Sequence, residues 1–174
     1  MKIKSFLLLA IVLLFAGVLT VNAQGKRQSP KATATGKIGD ANVTITYSSP
    51  SVKERKIWGD LVPFDKVWRS GANEATILET DKELKVAGKK LPAGKYSLYT
   101  IPGEKEWQVI INSQTGQWGI ERSGETTRKA ENDVMVVSVK PKQSPVMQES
   151  LVYLINEKEI VLRWENLDIS VPVK

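Results

Sequence analysis

A period of two constrains this chain more than any other feature. From residue 43 onward, apolar and polar side chains alternate in short runs closed by Gly, Pro, Asn or Asp, and no window carries a competing helical stripe. Alternating side chains bury one face only when their backbones pair, so the pattern predicts β-structure throughout. Val43 to Tyr47 alternates behind the turn-like Gly39-Asp40-Ala41-Asn42. Ala75 to Thr80 and Leu84 to Val86 flank Asp81-Lys82. Lys95 to Ile101 is entered through Pro92-Ala93-Gly94 and left through Pro102-Gly103, and Trp107, Val109 and Ile111 share one face of the next run. Val134 to Val139 is nearly continuously apolar, the pattern of a central strand covered on both sides. Val146 to Ile155, Ile160 to Trp164 and Leu167 to Val173 predict a terminal meander, punctuated at Asn156-Glu157-Lys158 and Glu165-Asn166. About nine or ten short strands, spaced about 8 to 12 residues apart, predict an antiparallel β-sandwich. No internal repeat is visible, which excludes propellers and solenoids.

Ahead of this pattern, Lys2 and Lys4 lead into an apolar run from Phe6 to Val21, followed by the small-x-small site Val21-Asn22-Ala23. These features predict a signal peptide over residues 1–23, cleaved before Gln24, and a mature protein that is periplasmic or secreted. No further stretch predicts a transmembrane segment. The polar, Ala- and Thr-rich residues 24–37 are expected to be a flexible lead-in, and residues 38–174 a single β-sandwich domain. Loss of Lys2 and Lys4 reduces 25 basic side chains to 23 against 19 acidic ones, a net charge of +4. The cations are scattered among acids and turn residues, so nucleic acid is not an expected partner.

The chain has no cysteine and no histidine. Disulfides, His/Cys metal sites, haem and iron–sulfur ligation, and Ser-His-Asp or Cys-His catalysis are thereby excluded. Carboxylate pairs, Ser/Lys or Tyr chemistry and oxygen-ligated calcium remain. The last lacks its Asp-x-Asp-x-Asp spacing, so neither metal nor cofactor is expected.

Two segments break the short-turn rhythm, Ser48 to Asn73 and Ser113 to Asn132, and long loops on a rigid β scaffold are where binding residues concentrate. The first mixes Trp58, Phe64 and Trp68 with Arg55, Arg69, Asn73 and Glu74. That composition points to a loop packed on the sandwich. Arg69 and Glu74 are expected to pair beneath it beside Asn73, either as buried scaffold or as part of a site in which guanidinium, amide and carboxylate meet a small polar ligand. Trp58, Trp68 and, between two glycines of the second loop, Trp118 offer stacking faces for a sugar, although a tryptophan placed like Trp118 more often folds back as a lid over the sheet end; Trp107 and Trp164 lie in strand patterns and are assigned to the core.

The run Trp68-Arg-Ser-Gly-Ala-Asn-Glu-Ala-Thr76, with Tyr47-Ser-Ser-Pro-Ser-Val52 before it and Leu91-Pro-Ala-Gly-Lys-Tyr-Ser-Leu-Tyr-Thr-Ile-Pro-Gly103 and Glu106-Trp-Gln-Val-Ile-Ile-Asn112 after it, closely resembles the bacterial family called domain of unknown function 2911. The resemblance covers nearly the whole mature chain. It implies an exported or envelope-associated bacterial β protein and brings no activity. The chain departs from the family pattern at Ser49, where an Arg is common, and at Glu54, where a Gly is.

Three functions fit these residues. The first is a non-enzymatic binding or structural module engaging a small polar ligand, a glycan or an envelope protein through the long loops. The second is a glycan hydrolase using two of Glu74, Asp60 and Asp65, and the third an architectural protein without a pocket.

Overall fold

The computed structural model describes residues 27–174, and the expected leader, residues 1–23, lies outside them. Ten strands form in order: β1 (Lys31–Ile38), β2 (Ala41–Ser48), β3 (Thr76–Thr80), β4 (Leu84–Val86), β5 (Lys89–Leu91), β6 (Gly94–Ile101), β7 (Trp107–Asn112), β8 (Asp133–Val139), β9 (Lys142–Ile155) and β10 (Glu159–Pro172). One short 3-10 turn, Ala130–Asn132, precedes β8. Every strand pairing is antiparallel. Among the described residues no helix is long and apolar enough to cross a membrane.

The first layer is a six-stranded sheet in the order β1-β2-β3-β6-β7-β8. β1 and β2 meet at a two-residue turn in which Ile38 pairs with Ala41 and Gly39 takes a φ of 55°, a left-handed value that costs glycine little. The second layer is the long β9–β10 hairpin, extended at both edges by irregular pairing. On one side Lys85 and Lys174 exchange backbone hydrogen bonds, joining β4 to the chain end; on the other, Val52 donates to Glu149 and Leu151 to Pro50. Ala41, Val43 and Ile45 of β2, Leu78 of β3, Leu98 of β6 and Trp107, Val109 and Ile111 of β7 face Leu151, Tyr153, Leu162, Trp164 and Ile169 across one core. The alternation in β2, every second residue buried, is what period two requires of a sheet with one covered face.

Three expectations are corrected. Val134 to Val139 is not a central strand: β8 is an edge of the six-stranded sheet, with Met135, Val137 and Val139 inward and Val134 and Val136 49% and 37% exposed. The strands covered on both faces are β6 and β7, where Tyr99 and Ile110 form a second small cluster with Ala75 beneath the loops. An unbroken valine run thus records β-branched preference for extended backbone as well as burial. Glu165-Asn166 is not a turn. β10 runs through it, and Glu165, at a φ of 55°, sits at a register shift that absorbs an extra residue without reversing the chain. Lys31 to Lys37, placed in a flexible lead-in, forms most of β1, with Ala32 and Ala34 half-buried on the core side and Gly36 against Ile155 of β9.

Trp107 is fully buried and Val136 is not. Trp107→Ala should therefore lose about 3 to 5 kcal/mol in urea unfolding, while Val136→Thr should stay within about 0.5 kcal/mol of wild type. Equal losses would restore β8 to the centre of the sheet.

Candidate functional site

The first loop joins β2 to β3 without regular structure, so side chains must hold it. Val52, Ile57 and Val62 sink into the main core. Trp58 stands edge-on to three indoles, with ring centroids 5.0 Å from Trp107, 5.6 Å from Trp164 and 6.0 Å from Trp68, and Trp68 stacks on Trp164 at 5.9 Å. The indole nitrogens of Trp58 and Trp107 are buried without hydrogen-bond partners, so ring packing is what fixes these two side chains. Trp68 exchanges backbone hydrogen bonds with Thr100 of β6 at 2.7 and 2.8 Å, and its indole donates to the Gly71 carbonyl. Immediately beyond, the Ser70 carbonyl accepts from the hydroxyls of Tyr153 (2.8 Å) and Thr76 (3.0 Å). Five non-glycine residues of this loop have left-handed backbone: Lys53, Glu54, Asp65, Ser70 and Asn73. Glu54 holds a φ of 57°, which a glycine would adopt more easily. Ser49 is buried and donates to the Leu151 carbonyl.

The second loop folds down to meet the first. Ala75 donates to the Gln117 carbonyl and Gly119 to the Asn73 carbonyl, forming a bridge between Glu74 and Trp118. Gly119 lies flat on the Arg69 side chain, where any Cβ would overlap Arg69 Cδ. Between the loops opens a cleft of about 690 Å³, walled on a third side by Gln28 and Ser29. Among the described residues, four cationic side chains line it, Lys53, Arg55, Lys66 and Arg69, against one carboxylate, Glu125; Leu61, Val62, Pro63, Trp68 and Trp164 supply apolar surface.

The cleft brings together four of the residues singled out in the sequence, Arg55, Arg69, Asn73 and Trp68, and leaves out Glu74, Trp58 and Trp118. Trp58 belongs to the indole cluster, and Trp118 is half-exposed beside the cleft. Arg55 donates to the carbonyls of Val52 and Ser51, and Asn73 to that of Ser29. The expected pairing of Arg69 with Glu74 does not form. The left-handed residue Asn73 turns the chain between them, and Glu74 instead takes both oxygens to Arg27 (2.8 and 2.9 Å), with Lys31 at 3.3 Å and Ser48 Oγ at 3.3 Å. Burial alone would raise the Glu74 carboxyl, but the hydrogen bonds from Arg27 and Lys31 outweigh it and hold it at about 2. Arg69 has no partner among the described residues, its Nε and Nη1 are buried, and burial lowers its pKa. Lys53 and Lys66 stood in the loop as ordinary charges with nothing to mark them, and Arg27 lies 47 residues from its partner, beyond any local signal.

Residues 29–173 match the family described as Protein of unknown function (DUF2911). The chain belongs to this family. Neither the curated proteins nor the solved structures include a match. The match extends from Ser29 in the cleft wall to Val173 at the sandwich edge, so apart from Gln28 the lining of the cleft and its scaffold lie inside one family unit.

A guanidinium desolvated without a counter-ion costs stability, and its aliphatic stem packs under Gly119 whatever the head group. Arg69→Met should leave the fold at least as stable as wild type in urea unfolding, with a gain of about 1 kcal/mol. A loss above about 2 kcal/mol would mean that Arg69 is tied into the scaffold after all.

Proposed function

We propose that this protein is an exported binding module that holds a small polar ligand in the cleft between its two long loops. The observation that carries this reading is the convergence itself: two irregular loops and the segment before β1 meet around one cleft within the 300 to 1,000 Å³ range of small-molecule sites. Left-handed, non-glycine backbone concentrated in one of those loops adds to it, because such conformations gather at ligand clamps. Paired-carboxylate hydrolysis is less well supported. It needs two carboxyl groups about 5 to 9.5 Å apart, whereas among the described residues Glu125 is the one carboxylate lining the cleft, and Asp60, Asp65 and Glu74 lie outside it. Export rests on the leader residues alone, and an intact mass starting at Gln24 is the expected result for the cell-derived protein.

A thermal-shift screen of sugars, organic acids, nucleotides and amino acids tests the binding reading. A true ligand at 100 times its dissociation constant adds about 2.7 kcal/mol to stability. Ala72→Trp, which fills the cleft from its lining, should abolish the response. A screen without hits, or hits that Ala72→Trp leaves intact, would overturn the reading.

A further inference from the structure

The arginines of this chain divide cleanly by what they hold. Arg128 and Arg163 each clasp an aspartate with Nε and Nη2, Asp133 and Asp168 respectively. Arg55 donates to two backbone carbonyls, and Arg27 grips Glu74. Arg122 is exposed and solvated. Arg69 alone is sunk below the surface with no partner among the described residues, and it lines the cleft. A guanidinium stays charged at any physiological pH and presents a planar fork of donors that matches a carboxylate or phosphate. Burial that weakens its hydration leaves it seeking a negative group, and the other cations of the cleft, set against Glu125, bias the whole lining toward anions. The space is too large for a lone ion, and Trp68, backed by its stacked partner Trp164, gives the lining an aromatic surface of the size of a ring.

We infer that the ligand is a small ring-bearing oxyanion, an acidic sugar whose carboxylate or phosphate sits on the Arg69 guanidinium while the ring lies on Trp68. This assignment rests on the cleft being the binding site and specifies its chemistry. Arg69 is the specificity residue, Lys53, Arg55 and Lys66 contribute general attraction, and Glu125 disfavours a second negative charge near its own side of the cleft.

Calorimetric titration of the full mature chain with glucuronate, glucose 6-phosphate and glucose tests this. At least one acid should bind about tenfold or more tightly than glucose, and whichever acid wins decides between carboxylate and phosphate. Arg69→Met should reduce that affinity by about tenfold or more, Arg69→Lys should restore part of it, and rising ionic strength should weaken binding to the wild type, a readout that needs no variant. Equal affinity for glucose, or an affinity indifferent to both Arg69 substitutions and to salt, overturns the assignment while leaving the cleft a binding site. So does binding of none of the three when the wider screen yields a neutral or cationic ligand. If that screen also finds nothing, the binding reading falls with it.

Discussion

Four tryptophans carry this fold's one unusual burden. A loop that leaves β2 at Ser49 and rejoins the sheet at Thr76 has no strand of its own, and without anchors its chain entropy would keep it mobile over the sandwich end. Trp58 and Trp68 reach down from it into the space between Trp107 of β7 and Trp164 of β10, so the loop is nailed to both layers of the sandwich at once. Each indole buries about 150 to 250 Å² and packs edge-to-face or stacked, which fixes position as well as depth. The backbone exchange between Trp68 and Thr100 then leaves the neighbouring Arg69 little freedom. The placement of the cleft's most distinctive side chain is thus a consequence of core packing.

Around that anchor the molecule departs from what stability alone would select. A half-buried guanidinium lacks a counter-ion, five left-handed residues crowd one loop, and a glycine in the other is required because Arg69 occupies the space a side chain would need. By contrast, Arg128 with Asp133 and Arg163 with Asp168, away from the cleft, are satisfied. Among the described residues, five of the seven left-handed non-glycine positions and the unpartnered Arg69 nitrogens gather at this one loop, a concentration expected where a site is held open for something else to complete. The Arg27–Glu74–Lys31 cluster fits the same picture as a tie that keeps the segment before β1 against the cleft rim.

Much of the fold was legible because period two is a direct report of one covered face: β2, β3, β6 and β7 were placed within a residue or two, and Trp107 and Trp164 were assigned to the core where they lie. The errors share a physical cause. Bulge and turn use the same residues, so Glu165 looked like a chain reversal; small residues mask periodicity, so Lys31 to Lys37 looked unstructured; and valine suits an exposed edge as well as a buried centre. In the site, the loop and the presence of Arg69 within it were readable from the mixture of indoles and guanidinium. That it would stand without a partner was not, since proximity in sequence through irregular backbone does not set direction, and Glu74's actual partner Arg27 comes from a distant segment.

Arg69 has no counter-ion among the described residues, and a double-mutant cycle between Arg69 and Glu74 measures this directly. Unfolding free energies of wild type, Arg69→Ala, Glu74→Ala and the double variant should give a coupling below about 0.5 kcal/mol, the value for groups that share no interaction. A coupling of several kcal/mol, with both single variants losing about 3 to 5 kcal/mol, would mean that the two side chains form a buried pair, leaving no vacant guanidinium for a ligand.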